Sequence, residues 1–394
     1  MKQKLQGLRL LSLWWVFRWA SFGEAIWSVY LIEQRGLSLG TVLAFEAAWW
    51  IFIIALEIPT GIITDRWGRK RSLVAGSLLF TLGFLVFGLS ASPVLLLSAY
   101  LIWGLGDSFF SGTDTAFLFE TLKKQRATEK YAQYEGFLNS GALLVVAMTA
   151  ALGPILLLWT PLSVPFILSA LFGLILVCAA MFLSEPRTQE SSIENSRASG
   201  FKSTISMLAN PSVAGIICLK AIPEMSLAIL LLTLPQTLSN YGLPTFQFGW
   251  WVALIFVLMG FSSIWAGRAI HFLSLPKWFG MASFTSAMAF ILSTTTHMWL
   301  FPLCVLPALF LPLLEPHVNQ YLAERALQSN RATLLSVANA AMSVVIATSI
   351  FGGAWAMDQF GFVIAMWIFA GATIVLTGTG FTLWFAGNRN SVAV

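Results

Sequence analysis

The segment that decides the fold runs Gly61-Ile62-Ile63-Thr64-Asp65-Arg66-Trp67-Gly68-Arg69-Lys70-Arg71. It follows one long apolar segment and precedes another, and five of its eleven residues are charged, four of them basic. Because so many charges cannot lie in hydrocarbon, the segment predicts a tight turn between two membrane spans. Basic residues concentrate in the cytoplasmic loops of membrane proteins, so we expect this turn on the cytoplasmic side.

The composition indicates a membrane protein. Of the 394 residues, 58% are hydrophobic and only 10% are charged, whereas a soluble domain carries about 25% charged residues. The chain consists of apolar blocks of about 20 to 28 residues, each long enough to cross a bilayer. We therefore predict an all-α membrane protein rather than two or three soluble domains.

The apolar blocks predict twelve transmembrane helices in two six-helix bundles. The longest polar link, Glu185–Asn210, is rich in serine and separates the two halves. We predict an N-terminal bundle at 1–185, a cytoplasmic linker at 186–211 and a C-terminal bundle at 212–394. The expected spans are 11–33, 38–63, 72–91, 94–121, 131–156, 162–184, 212–239, 245–267, 277–295, 298–324, 332–356 and 361–386.

The positions of the basic residues test this topology. With a cytoplasmic N-terminus, nineteen of the 22 Lys and Arg residues fall in cytoplasmic segments, while Arg18 and Lys220 lie within spans and Arg35 lies outside. This bias supports both the span count and the orientation. It also accounts for the net charge of +5, so we expect no nucleic-acid partner. We predict a bacterial-type inner-membrane protein with both termini in the cytoplasm.

The pattern G-x-x-x-D-R-x-G-R-K-R at residues 61–71 resembles the loop 2–3 signature of the major facilitator superfamily. The two halves also show a trace of repetition, because Gln125-Arg126-Ala127-Thr128 recurs as Asn330-Arg331-Ala332-Thr333 at an offset of 205 residues. The resemblance implies the major facilitator fold, two parallel six-helix repeats that rock against each other. It further implies a transporter of small molecules that is usually a monomer in the lipid bilayer.

The resemblance also implies a conformational latch. In the family, the aspartate of the turn caps a helix end in the second half, and the second arginine pairs with an acid at the foot of span 4. An acid at a helix N-terminus is favoured by the helix dipole. The alternative is that these charges only fix the topology. The residues carried over are Gly61, Asp65, Arg66, Gly68, Arg69 and Glu120.

Acidic residues at mid-membrane depth form the candidate transport site. An ionised carboxylate in the bilayer core costs several kcal/mol unless it is paired, hydrated or protonated. The four acidic residues fall on spans 1, 4, 7 and 10, which line the central cavity in the resembling family. We therefore expect these acids to bind substrate or protons. These acids are Glu24, Asp107, Glu224 and Glu315.

Three further charges are expected close to these acids. Asp114 follows Asp107 by seven residues, so the two share one face of a regular helix. Arg18 on span 1 is placed to neutralise either Asp107 or Asp114 across the gap between spans 1 and 4. Lys220 and Glu224 are four residues apart and can pair on one helix face. The alternatives are a purely structural Lys220–Glu224 pair and an Asp114 that packs with the basic turn.

Two helices carry irregular features. Prolines at 307, 312 and 316 predict a kinked span 10, in which His317 is a candidate proton-relay partner of Glu315. Span 5 carries Gly141, Gly153 and Pro154, a partial match to the glycine-proline pattern of antiporters in the resembling family. This partial match favours export.

The sequence contains no Walker phosphate loop, metal-ligand spacing or nucleophile–base triad, so we expect neither an enzyme nor a cofactor. The surplus of acids in the spans favours a proton-coupled antiporter that exports cationic or zwitterionic amphipathic molecules, such as drugs. The alternative is a proton symporter importing a small, possibly anionic metabolite bound by Arg18 and Lys220. A sensor without transport activity and a lipid flippase remain further alternatives.

We expect Asp65→Asn to reduce transport about tenfold or more, because removing the charge shifts the conformational equilibrium by about 1.4 kcal/mol or more. Substrate binding should remain largely intact. Transport in liposomes and substrate affinity measured on the same preparation test this, with the charge-conserving Asp65→Glu as control. Wild-type transport by Asp65→Asn would contradict the latch.

Overall fold

The computed structural model describes residues 2–127, 131–185, 210–269, 272–295, 297–325 and 331–392. Within these ranges the chain forms helices and no strand. Nine of the described helical segments are long and apolar enough to cross a membrane. Most of the predicted linker, at 186–209, lies outside the described residues.

The described residues of the first half contain eight α-helices, and α7 begins and ends at the residues expected for span 5. α5 and α8 each have a proline near their start. Proline is favourable there because the first N–H groups of a helix have no acceptor within the helix, so its missing N–H costs no hydrogen bond. The helices are α1 (Lys2–Phe17), α2 (Trp27–Val29) with a π-helix (Tyr30–Gln34), α3 (Leu39–Trp67), α4 (Arg69–Leu89), α5 (Pro93–Phe110), α6 (Thr113–Lys124), α7 (Tyr131–Leu156) and α8 (Val164–Phe182).

The described residues of the second half contain six α-helical segments. The last segment, which holds spans 11 and 12, is interrupted at Gly361, where a non-helical φ of 79° separates two helices. Asn210 caps the first helix of this half by accepting the Ser212 amide. The helices are α9 (Pro211–Asn240), α10 (Phe248–Ala269), α11 (Leu275–Leu292), α12 (Phe301–Cys304), α13 (Pro307–Arg325) and α14 (Arg331–Val392).

Span 1 is not the continuous helix that was predicted. α1 ends at Phe17, and the chain runs through turns until α2 begins at Trp27. The freed Phe22 amide donates to Ser169 Oγ on α8 at 2.9 Å. The Phe22 carbonyl lies so close to Gly153 of α7 that a Cβ there would overlap its oxygen. Polar and small residues in this stretch favour a break, and neighbouring helices stabilise it.

Span 4 is also broken, contrary to the single helix that was predicted. α5 ends at Phe110, and Gly112 takes the left-handed conformation with φ of 69° before α6 begins. A residue with a side chain rarely adopts this conformation, which explains the glycine. Asp107 and Asp114 therefore do not share a face of one helix; they lie on either side of the break.

Span 10 begins irregularly, because two residues separate α12 from α13. Pro312 and Pro316 lie inside α13, and each removes a backbone donor from the helix. The kink predicted from the prolines stays a prediction.

The helices form two compact units. The first contains Met1–Leu37, Ala48–Gln189 and Leu243–Val257, and the second contains the remaining residues. Each unit holds a short segment from the other half of the sequence. In the second unit, Ser38 Oγ at the start of α3 donates to Asp358 Oδ1 at 3.0 Å. The division predicted at 186–211 stays a prediction.

Arg35, the base that the predicted topology leaves on the non-cytoplasmic side, has a partner near the end of α4. Its Nη2 donates to the Tyr30 hydroxyl at 2.6 Å. That hydroxyl in turn donates to the Phe87 carbonyl at 2.9 Å, in the last turn of α4. A cation near the carbonyl end of a helix is favoured by the helix dipole, so Arg35 stabilises this end of the unit.

We expect Gly153→Ala to destabilise the protein by about 1–3 kcal/mol, because the added methyl group overlaps a backbone carbonyl that has little freedom to move. Gly136→Ala on the same helix is the matched control, since a Cβ there meets nothing within 4 Å. It should be neutral or slightly stabilising. Thermal unfolding followed by tryptophan fluorescence measures both, and equal apparent Tm values would contradict this account of the break.

Candidate functional site

The first unit contains a cluster of one base and two acids, which we call the Arg18 cluster: Arg18, Asp107 and Asp114. Arg18 Nη1 lies 2.7 Å from Asp114 Oδ2, and Nη2 lies 3.2 Å from Asp107 Oδ1. The guanidinium also lies over the Phe110 ring, 4.9 Å from its centroid. Arg18 therefore contacts both acids at once, where the sequence had suggested either one.

This arrangement depends on the two helix breaks. Arg18 is the first residue after α1, where span 1 unwinds, and the acids flank the break in span 4. The three side chains are partly buried, with exposed fractions of 18% for Arg18, 21% for Asp107 and 9% for Asp114. One guanidinium faces two carboxylates, so the fully ionised cluster carries one surplus negative charge.

The second unit contains a similar group, which we call the Lys220 cluster: Lys220, Glu224 and Glu315. Lys220 Nζ lies 3.7 Å from Glu315 Oε1, joining α9 to α13. The charges of Lys220 and Glu315 both act on Glu224. Sequence spacing suggested the Lys220–Glu224 pair. It gave no signal for the contact between Lys220 and Glu315, because only the fold brings these two distant residues together.

Accessibility differs sharply within the Lys220 cluster. The Lys220 side chain is 6% exposed, whereas that of Glu315 is 51% exposed. The ammonium is thus enclosed, and the face that the cluster presents is a carboxylate. Like the Arg18 cluster, it carries one surplus negative charge when all three groups are ionised.

His317 contacts a different partner from the one predicted. Its Nε2 lies 2.8 Å from the Ala266 carbonyl. A carbonyl only accepts, so Nε2 donates. Ala266 lies in the last turn of α10, where carbonyls have no partner within the helix. His317 therefore caps α10 through this nitrogen, and a relay to Glu315 stays a prediction.

Glu24 lies in the unwound stretch of span 1, between Phe17 and Trp27. It is partly exposed, and it has an interaction partner of its own. Its predicted place on a regular cavity-lining helix is wrong, because the helix is interrupted there. Its role in binding stays a prediction.

Part of the predicted latch is assembled in the first unit. Arg69 Nη1 lies 3.8 Å from Glu120 Oε1 and donates to the Ala116 carbonyl at 3.0 Å. Arg66 is exposed, and a Cβ at Gly61 would meet nothing within 4 Å. The Asp65 side chain lies outside the described residues, so its helix-capping role stays a prediction.

Glu185, which sequence reasoning missed, binds the start of α4. Its two carboxylate oxygens accept the backbone amides of Arg69 and Lys70 at 2.8 and 2.9 Å. These amides are among those that a helix leaves without partners, and the dipole favours an acid there. Gly68, which precedes them, has φ of 93°, which favours glycine. The sequence feature that could have indicated this capping role is the position of Glu185, an acid directly before Pro186 at the end of span 6.

The glycine-proline residues of span 5 have packing roles in the first unit. A Cβ at Gly141 would lie 3.0 Å from Val16 Cγ2, and Gly153 makes room for the unwound part of span 1. Pro154 cannot donate to the Ala150 carbonyl, and Gly249 packs closely against that carbonyl. Their predicted link to export stays a prediction.

We expect Glu185→Ala to lower the stability by about 1–2 kcal/mol, since two helix-start amides lose a charged acceptor. Scanning fluorimetry should show a lower apparent Tm. Glu33→Ala removes an exposed acid elsewhere in the first unit and should change little. An unchanged Tm for Glu185→Ala would argue against a stabilising cap.

Comparison with known proteins identifies the family. The Major Facilitator Superfamily profile matches residues 16–223, more than half of the chain. A relative in Bacillus subtilis (strain 168), the "Uncharacterized MFS-type transporter YxaM", is 29% identical over 173 residues, which cover 42% of this chain and 40% of the relative. "Multidrug resistance protein MdtH" of Blochmanniella pennsylvanica (strain BPEN) is 28% identical over 173 residues, covering 44% and 40%.

The chain thus spans less than half the length of these curated relatives. Among solved structures it is similar to the nucleoside transporter NupG, with a TM-score of 0.73, 15% identity, and coverage of 98% of this chain and 99% of that one. This likeness supports the fold alone. The chain belongs to the major facilitator superfamily.

Proposed function

We propose that this transporter is a proton-coupled exporter of cationic or zwitterionic amphipathic small molecules. It would lie in a bacterial-type inner membrane with both termini in the cytoplasm, and would work as a monomer by alternating access. A single observation carries this proposal. In each charged cluster, the side chain of the base is less exposed than the side chain of the most exposed acid.

In the Lys220 cluster the difference is large, 6% exposure for the base against 51% for Glu315. In the Arg18 cluster it is smaller, 18% against 21% for Asp107. Both bases are already engaged with carboxylates of their own unit. An anion would have to displace an acid to reach either base, whereas a cation meets a carboxylate directly.

The charge balance also favours proton coupling. Each cluster has two acids and one base, so one carboxylate per unit has no base of its own. In low-dielectric surroundings such a carboxylate is stabilised by a proton or by a cationic ligand. Exchange of one for the other is the elementary step of a cation–proton antiporter, in which a proton enters as the substrate leaves.

The relatives are consistent with this choice of substrate class without deciding it. The name of one relative refers to multidrug resistance, and its alignment covers less than half of either chain. The spans that carry the two clusters are 1, 4, 7 and 10, which line the transport cavity in the family. We therefore place substrate binding at these clusters.

The proposal is tested with purified protein in liposomes that have an acidic lumen and a membrane potential clamped at zero. Adding tetraphenylphosphonium outside should raise the internal pH as protons leave in exchange. Glu315→Gln should slow this exchange about tenfold, as expected for a loss of about 1.4 kcal/mol of binding. Glu33→Gln, at an exposed acid outside both clusters, and protein-free liposomes are the controls.

A different response would overturn the proposal in a defined way. If protons move together with added gluconate and not with the cation, the protein is a symporter of anions. Arg18 and Lys220 would then be the residues to substitute next. If neither solute moves protons, the transport is not coupled to protons for these classes.

A further inference from the structure

The break in span 4 places two acids in opposite electrostatic surroundings. α5 ends at Phe110 and α6 begins at Thr113, so the two helices meet head to tail at the break. The carbonyl end of α5 carries partial negative charge, and the amide end of α6 carries partial positive charge. Asp107 lies in the last turn of the first helix and Asp114 in the first turn of the second.

Asp114 has a favourable partner for a carboxylate on each of its two oxygens. Its Oδ1 accepts the Thr115 amide at 2.6 Å, and its Oδ2 lies 2.7 Å from Arg18 Nη1. The dipole of the 12-residue helix α6 favours a negative charge at this end. Its side chain is only 9% exposed, so water has little access to it.

Asp107 has the opposite combination. It lies at the end of α5 where the dipole disfavours a carboxylate, and its contact with Arg18 is longer, at 3.2 Å. Its side chain is 21% exposed, more than that of Asp114. The Arg18 charge acts on both acids, and the Asp107 charge also acts on Asp114.

Arg18 cannot neutralise both acids. It supplies one positive charge, and packing against the Phe110 ring fixes its guanidinium in place. The shorter bond and the favourable helix end commit that charge to Asp114. The surplus negative charge of the cluster therefore falls on Asp107, next to the more accessible side of the site.

We propose that Asp107 is the group that binds and releases the transported proton, and that Asp114 is a positioning residue that holds Arg18 in place. This division rests on the proposed proton-coupled function. In the cycle, a proton from water binds an Asp107 carboxylate oxygen, and the neutral acid no longer favours the cation. When a cation binds from the other side, Asp107 returns the proton to water, so one cation is exchanged for one proton at this cluster.

The decisive measurement does not require a substrate. Infrared difference spectra between low and high pH, recorded on the purified protein in lipid nanodiscs, report the carbonyl band of protonated carboxyl groups. We expect Asp107→Asn to remove one component of this band and Asp114→Asn to leave that component. If either asparagine variant fails to fold, Asp107→Glu and Asp114→Glu replace them, since the carbonyl frequency should shift only when the proton-binding residue is changed.

A second readout uses tetraphenylphosphonium binding as a function of pH. Asp107→Asn should weaken binding and reduce its pH dependence, whereas Asp114→Asn should weaken binding and keep the pH dependence. Asp107→Glu should retain both. A purely structural role of Asp107 would lower affinity at every pH alike.

The outcomes separate this proposal from the proposed function. Loss of the infrared component in Asp114→Asn but not in Asp107→Asn would overturn the assignment, as would its retention in both variants. If the component is lost only in Asp107→Asn while wild-type protein binds no tetraphenylphosphonium, the proton assignment holds and the cationic substrate class is wrong.

Discussion

The hydrocarbon core imposes the constraint on which the rest of this structure depends, because each backbone amide and each charge within it needs a partner in the protein. Where span 1 unwinds, the Phe22 amide donates to Ser169 and its carbonyl lies against Gly153. Where span 4 breaks, Arg18 contacts carboxylates on both sides of the break. In the first unit, the Arg18 cluster therefore lies where the two helix breaks meet.

The sequence predicted the all-helical membrane fold and the bounds of some spans closely, such as 131–156 for α7, because hydropathy reports which segments avoid water. It did not predict the breaks, because they depend on contacts with residues far along the chain. The unwound stretch of span 1 is stabilised by Ser169 and Gly153, which lie on α8 and α7. The signal for the break at Gly112 was a single glycine, and a single glycine is also common in unbroken membrane helices.

For the candidate site, the residue types were predictable and most partners were not. A charge in a span is visible in any sequence, which is why Arg18, Lys220 and the acids were found. Local spacing gave the Lys220–Glu224 interaction, and the Lys220 charge does act on Glu224. It could not give the contact of Lys220 with Glu315 or that of His317 with the Ala266 carbonyl, because these partners lie far apart in the sequence.

The two clusters solve one electrostatic problem with different side chains, and the difference has a consequence. A guanidinium is a planar fork that can donate to two carboxylates at once, whereas an ammonium is a compact point charge. Arg18 accordingly holds acids on both sides of a helix break, while Lys220 is enclosed and leaves Glu315 half exposed. This difference agrees with the roles proposed above, an exchangeable proton at the Arg18 cluster and a cationic ligand at the Lys220 cluster. Equivalent spans of the two halves would then have different roles.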